Sequence, residues 1–396
     1  MIVVADDFTG AAEIAAASFH RGFSSAVLRD PLPENSIVRH TVLDTDSRLS
    51  DPSDAQAAIS RAIRFISRQP KQGLFKKVDS VLRGNLGVEF ATLATALHKR
   101  RILLHPANPS TGRSIWDRTY RINGTPISET EFAIDPTHPA MSDDPVRLLG
   151  DVPGFQVHCC KHHEHLPETG LIICEASTAD DVKAWSKKLL PSDLPAGGRE
   201  FYESIIENER PLPQDRRSSP SLPPQATLLI HGTVSRQRDE FHRSLKRPAR
   251  ARLALSPAAN EASALAKACE AIIATLRKTS LATLEFERLP TAPANAAQEI
   301  ERVLQALLAK LKEHSSLLSN RLHLILEGGA TAALVMKQLG INELQVERIW
   351  AGGVVSLATP SYEALSITTK PGSYPWPPAL VASLPNQATQ LPATTL

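Results

Sequence analysis

A chain of 396 residues exceeds one ordinary hydrophobic core, so two α/β domains are expected. Apolar residues make up 42% and charged residues 22%, which excludes a disordered chain. A formal net charge of +2 without a basic stripe argues against a nucleic-acid partner; the short run Arg243, Lys246, Arg247, Arg250, Arg252 reads as a solvated helix face and loop.

In chain order, Ile2–Ala5 reads as a buried strand, with Thr9 placed to cap a helix through about His20. Strands are predicted at 25–28 and 37–43. A helix follows over 54–68, where Ala55, Ala58, Ile59, Ala62, Ile63 and Ile66 share one face. A strand at 74–78, a helix at 87–97 and a strand at 102–104 continue the alternation, which implies a mostly parallel sheet. The rhythm breaks over 108–145, where Asn123-Gly124 between two short apolar runs predicts a hairpin with a type I′ turn. A strand at 171–174 and a helix at 179–190 resume it. The proline-rich stretch 211–225 is taken as a linker between domains 1–210 and 226–396. The second domain reads as strand 227–230, a helix from Ser235, helix 262–276, strand 281–286, helix 296–313, strand 323–326 and helix 331–339. The tail after Pro371 reads as a lid or loose end. The expected fold class is therefore α/β, two α/β domains each with a largely parallel sheet flanked by helices.

Ligands of open α/β sheets bind beyond the carboxyl ends of strands, and four strand-end loops carry chemistry. Asp6-Asp7-Phe8-Thr9-Gly10 sets two carboxylates beside a helix N-terminus, fit for metal, hydroxyl or proton chemistry, or for capping by Asp7 or Thr9. Lys77, Asp79, Arg83 and Asn85 cluster after the strand at 74–78: arginine can grip a carboxylate and aspartate can accept a hydroxyl proton, the plain alternative being a surface ion-pair network. The loop from His105 through Asn108 to Arg113 is rich in donors, or is simply a turn. Glu327-Gly328-Gly329-Ala330-Thr331 is a diglycine turn that lets phosphate approach backbone N–H groups, and His231-Gly232-Thr233-Val234-Ser235 repeats its logic.

Neither a P-loop nor a G-x-G-x-x-G fingerprint is present. His158, Cys159, Cys160, His162, His163, Glu164 and His165 look like metal ligands but lack a spaced second pair, so an exposed polar loop is expected. The four cysteines form no disulfide framework, which fits a reducing cytosol. No signal peptide or membrane span is expected, so a cytoplasmic protein without a membrane partner is anticipated. Asp44-Thr45-Asp46 would suit a HAD-like sugar-phosphate phosphatase, except that Arg48 stands where Thr or Val is required.

The ordered set of loops resembles the four-carbon acid sugar kinase family: Ala5 to Ala11, Lys77 to Asn85, Pro106-Ala107-Asn108-Pro109 with Gly112-Arg113, Gly328 to Thr331, and Lys370-Pro371-Gly372-Ser373-Tyr374. The resemblance implies an enzyme that uses ATP with Mg²⁺ to phosphorylate a small sugar acid such as threonate, erythronate or an oxo-tetronate, with its active site in an interdomain cleft. It places Asp6, Asp7, Asp79, Arg83 and Arg113 on the substrate side, where Lys77 and Asn108 join them, with Asp79 or Asp7 as the catalytic base. Ser235, Gly328, Gly329, Ala330, Thr331 and Gly372 would contact the nucleotide. No metal ligand is assigned. Ala330 departs from the acidic residue of many members, which keeps a non-catalytic sugar-acid sensor as an alternative. Oligomeric state is left open, a homodimer among the options.

Overall fold

The computed structural model describes residues 1–32, 38–70, 72–135, 138–211, 226–232, 241, 249–254, 262–287, 293–314, 317–318, 321–351, 353–372, 374–385 and 394–395. The chain divides into two units, residues 1–216 and 217–396. The expected linker lies almost wholly outside the described residues, as do Ser235 and most of the helix expected to start there.

In the N-terminal unit the strands are β1 (Ile2–Ala5), β2 (Ser25–Arg29), β3 (His40–Asp44), β4 (Leu74–Lys77), β5 (Arg101–His105), β6 (Arg113–Trp116), β7 (Thr119–Ile122), β8 (Thr125–Pro126), β9 (Val157–Cys160), β10 (Gly170–Cys174) and β11 (Leu194–Gly197). The main sheet runs β2-β3-β1-β4-β11-β5-β10-β9, and every pair in it is parallel. Strands β1, β2, β3 and β10 are buried along their length, as expected of a sheet covered on both faces. The helices are α1 (Phe8–His20), α2 (Pro52–Arg68), α3 (Leu86–Ala96), α4 (Pro145–Leu149), α5 (Ala179–Ser186) and α6 (Arg199–Ile205). Strands β6, β7 and β8 form the small antiparallel sheet of the irregular excursion. Asn123 and Gly124 both have positive φ (51° and 84°), as the predicted turn demands.

Three expectations need correction. Asp7, not Thr9, caps α1: its backbone is extended and its carboxylate accepts from the Gly10 N–H at 2.9 Å. The His158–Cys160 stretch is not a loop but edge strand β9, paired to β10. Strand β11 had no sequence signal, because Pro195 and Gly197 read as loop. It forms between β5 and β4, and its ladder to β4 begins at Ala196, one residue past the proline that lacks an N–H.

The C-terminal unit contains β12 (Ala226–His231), β13 (Ala249–Ala254), β14 (Leu281–Glu287), β15 (Leu322–Glu327), β16 (Glu343–Ala351), β17 (Val354–Ala358), β18 (Leu365–Lys370) and β19 (Thr394–Thr395), with α7 (Ala262–Thr279), α8 (Pro293–Glu313), α9 (Gly329–Leu339) and α10 (Pro378–Ala382). Its order is β19-β13-β14-β12-β15-β18-β17-β16, parallel except for the antiparallel ladders β18–β17–β16. The tail is not loose at its start. Leu380 and Leu384, one helical turn apart, pack with Leu229, Phe241, Ile325 and Val354, and Trp376 lies against this cluster. Among the described residues no helix is long and apolar enough to cross a membrane.

Strand order positions the chemistry. From β1 the chain fills one side of the sheet with β2 and β3, then crosses to β4 on the other side. The loops after β1 and β4 therefore diverge and leave a crevice between them. The same switch occurs in the second unit between β12 and β15, whose flanking neighbours are β14 and β18.

Candidate functional site

The first constellation stands at the β1/β4 switch. Asp6 is fully buried and Asp7 retains 21% side-chain exposure. Arg48, from the loop after β3, joins them: Nε and Nη2 donate to Asp6 at 2.8 and 3.0 Å, and Nη1 and Nη2 to Asp7 at 2.8 Å each. Arg48 Nη1 also lies 3.7 Å from Asp79 Oδ1. Asp79 is gripped bidentately by Arg83 at 2.9 and 3.0 Å and accepts from the N–H groups of Val81 and Arg83. Arg83 Nη1 continues to Asp135 at 3.0 Å, and the guanidinium sits 5.7 Å from the Phe132 ring centroid. Lys77 Nζ donates to the Val78 carbonyl at 2.9 Å and pairs with Glu13 at 3.4 Å. Beneath them a buried Lys76–Glu89 pair at 2.8 Å takes a further bond from the Ser47 hydroxyl.

These contacts separate the three aspartates. Burial pushes all of them upward. At Asp79 the guanidinium groups of Arg48 and Arg83 outweigh burial and hold the carboxyl well below the usual range. At Asp6, Arg48 and Lys76 outweigh burial and bring the carboxyl below its ordinary value. At Asp7 burial prevails over Arg48, the Asp6 charge adds to it, and the carboxyl stands above its ordinary value. Asp79 Oδ2 already accepts three bonds. Asp7 accepts three in total, which leaves room on Oδ2 of the roughly four lone-pair positions of a carboxylate.

The third loop divides. Asn108 is buried, and its side-chain oxygen accepts from the Glu200 N–H at 3.2 Å in the first turn of α6, so it builds the loop rather than opening onto it. Arg113 is half-buried: Nη1 donates to Thr111 at 3.3 Å, and Nε is buried without a hydrogen-bond partner among the described residues. Its charge acts on Tyr120, as does that of Asp79; the Tyr120 hydroxyl donates to the Ser80 carbonyl. Arg113 is thus the freer of the two arginines expected to meet a carboxylate.

The second constellation stands at the β12/β15 switch. His231, Glu327 and Lys370 are register partners at the carboxyl ends of β12, β15 and β18. Glu327 accepts from His231 Nδ1 at 2.5 Å and from Lys370 Nζ at 2.8 Å, and all three side chains are fully buried. Lys370 also donates to the Pro371 carbonyl at 3.0 Å and lies 5.0 Å from the Trp376 ring centroid. Burial raises the Glu327 carboxyl, but His231 and Lys370 together bring it below its ordinary value. Directly after Glu327, Gly328 (φ 103°) is the N-cap of α9 and supplies no side-chain cap; its N–H donates to the Lys370 carbonyl at 2.9 Å. The first N–H groups of α9, from Gly329, Ala330 and Thr331, have no acceptor inside their own helix. Ala330 is exposed and Thr331 buried. Gly372 lies half-buried in the turn after β18.

Gly232 lets this turn close. A Cβ there would stand 1.7 Å from Thr331 Oγ1 and 2.9 Å from the Glu327 carbonyl. Gly232→Ala is expected to cost about 1–3 kcal/mol by overpacking, measurable by urea unfolding, with Thr331→Ser failing to relieve it because the hydroxyl remains.

Residues 1–192 match the family model described as sugar-binding N-terminal domain. The match spans most of the N-terminal unit. The chain is 31% identical to the D-threonate kinase of Salmonella typhimurium strain LT2 over 162 residues, 40% of this chain and 38% of that kinase. It is 25% identical to the 3-oxo-tetronate kinase of Pseudomonas fluorescens strain Pf-5 over 94% of this chain and 93% of that one. It covers about a third to two fifths of the length of the curated D-threonate and D-erythronate kinases it matches. The crystal structure of Haemophilus influenzae protein HI1011 shares the fold, with a TM-score of 0.72 at 19% identity over 95% of this chain and 97% of that one.

Within the N-terminal unit the Asp44-Thr45-Asp46 segment is not set up as a phosphatase nucleophile. Arg29 holds Asp44 at 2.8 Å and the Asp46 N–H donates to its other oxygen; burial pushes the Asp44 carboxyl up to about 6. Among the described residues no group of His, Cys, Asp or Glu is gathered to hold a metal ion, the His158–His165 segment included. The least expected member of this first constellation is Arg48. Only its position four residues past a strand end, among Ser and Asp, could have marked it.

Proposed function

We propose that this chain is an ATP-dependent kinase that phosphorylates a hydroxyl of a four-carbon sugar acid, with threonate, erythronate and 3-oxo-tetronate as its candidate substrates. The observation that carries the reading is the accessible Asp7 carboxylate, fixed in an arginine-rich crevice of a sugar-binding domain. The kinase names of relatives that match over either part or nearly all of the chain support it. In this reading the sugar-binding domain holds the acid, the C-terminal unit holds ATP, and the two ligands meet in an interdomain cleft during turnover.

The acceptor oxygen attacks the γ-phosphorus as the bond to the ADP oxygen breaks, and its proton passes to Asp7. Arg113 takes the substrate carboxylate, while Asp79 keeps Arg83 in place beside it. Lys77 and Asp6 complete the polar wall of the crevice. The N–H groups of Gly329, Ala330 and Thr331 receive phosphate oxygens, with Gly328, Gly372 and Ser235, the last outside the described residues, as further nucleotide contacts. Mg²⁺ would enter with the nucleotide and would supply neutralisation of phosphate charge, no side chain of this chain being assigned to it.

Incubation with ATP and a panel of four-carbon acids should release ADP with one acid and add one phosphoryl mass to it. ATP consumption by none of them would sink the reading. Arg113→Ala is expected to raise KM for the acid by about 10–100-fold, the value of one charge-assisted contact, with KM for ATP unchanged.

A further inference from the structure

The Arg48 guanidinium has five N–H donors in one plane. Four are spent on Asp6 and Asp7, and the Nη1 group that serves Asp7 is also 3.7 Å from Asp79. A surface ion pair would not be built this way. The Arg48 N–H donates to the Asp6 carbonyl at 3.1 Å, tying the loop to the end of β1. The Asn85 amide donates to the carbonyls of Ser47 and Ser50 at 2.9 and 2.7 Å, tying the same loop to the one after β4. Gly84 adopts φ +101°, and a Cβ there would press on Arg48 Cγ at 3.2 Å. Both strand-end loops are thus shaped around this one side chain.

We infer that Arg48 is a positioning residue for phosphoryl transfer: it clamps Asp6 and Asp7 side by side so that Asp7 meets the acceptor hydroxyl as an ionised proton acceptor. The inference rests on the kinase reading for its place in the reaction. Without Arg48, two adjacent carboxylates would face each other in a buried crevice, and like charges so close share a proton. The other groups around Asp7 do not replace it. Lys77 also favours the ionised Asp7 but more weakly than Arg48, being engaged by Val78 and Glu13, and Asp44 adds negative charge. Lysine at position 48 would keep the charge but not the planar fork.

The test measures kcat/KM against pH for the full chain and its Arg48→Met and Arg48→Lys variants. In parallel, the carboxylate signals of ¹³C-aspartate-labelled protein are titrated, with Asp7 assigned through Asp7→Asn. Arg48→Met should move the Asp7 midpoint, and the acidic limb of the rate profile, upward by about one to three pH units, so that lost activity returns as pH rises. Arg48→Lys should leave the limb near that of the parent while lowering the rate at every pH. A rate loss equal at all pH values with the Asp7 midpoint unmoved, in folded protein, would overturn the inference. A parent chain that makes no ADP fails the kinase reading alone, and the Asp7 titration then still decides whether Arg48 holds that carboxylate ionised.

Discussion

Asp7→Asn is expected to lower kcat by about 10²–10⁴-fold, the usual worth of a positioned general base, while KM for ATP stays near its parent value. The amide keeps the shape and can still accept from the Gly10 N–H, so α1 remains capped and the fold intact. It cannot take the proton. Asp79→Asn should behave differently. Asp79 Oδ2 already receives two N–H groups and the Arg83 Nε, and only 8% of its side chain is exposed. Its replacement loosens Arg83, which Asp135 still holds, and leaves Arg48 short of a neighbouring charge. The expected result is a raised KM for the acid and a loss of stability, with a smaller effect on kcat than at position 7. Equal kcat losses in the two variants, with unchanged KM, would show that Asp79 and Asp7 act as one unit.

Much of this was readable before the structure, for a physical reason. Strands buried on both faces give near-continuous apolar runs, so β1, β5, β12 and β15 announce themselves, β4 less so with Lys76 and Lys77, and whatever polar residue follows them is displayed at a strand end. Asp6, Asp7, Asp79 and the Gly328-Gly329 turn stand at strand ends in this way. What failed to show was set by tertiary contact. Strand β11 carries Pro195 and exists because β5 and β4 are there to receive it. Arg48 looked like one more polar loop residue; its meaning comes from carboxylates 41 and 42 positions away in sequence. The tail after Pro371 has a loop's composition, yet Trp376, Leu380 and Leu384 find an apolar face of the second sheet. His231, Glu327 and Lys370 are each an ordinary strand-end polar residue, and only parallel register makes them a triad.

That triad carries the largest expected effect on stability. Lys370→Met should destabilise the fold by about 3–5 kcal/mol, the cost of leaving a buried carboxylate without its ion-pair partner. Both side chains of the pair are fully buried, so water cannot screen the loss. Unfolding in urea, followed by the fluorescence of Trp350 and Trp376, reads it directly. Adding Glu327→Gln should recover much of the loss, since removing both charges of a buried pair is often nearly neutral. A double variant as unstable as Lys370→Met would mean that Lys370 matters for its packing against Trp376 and not for its charge. The pH dependence has a fixed sign. The folded Glu327 carboxyl lies below its ordinary value, so its contribution is complete above the unfolded range near about 4.3 and drains away as pH falls through the folded value. The Glu327→Gln chain should therefore lose less stability between neutral and acid pH than the parent. Because Gly328 follows Glu327 directly and its N–H is bound to the Lys370 carbonyl, the same variants should also raise KM for ATP while sparing KM for the acid.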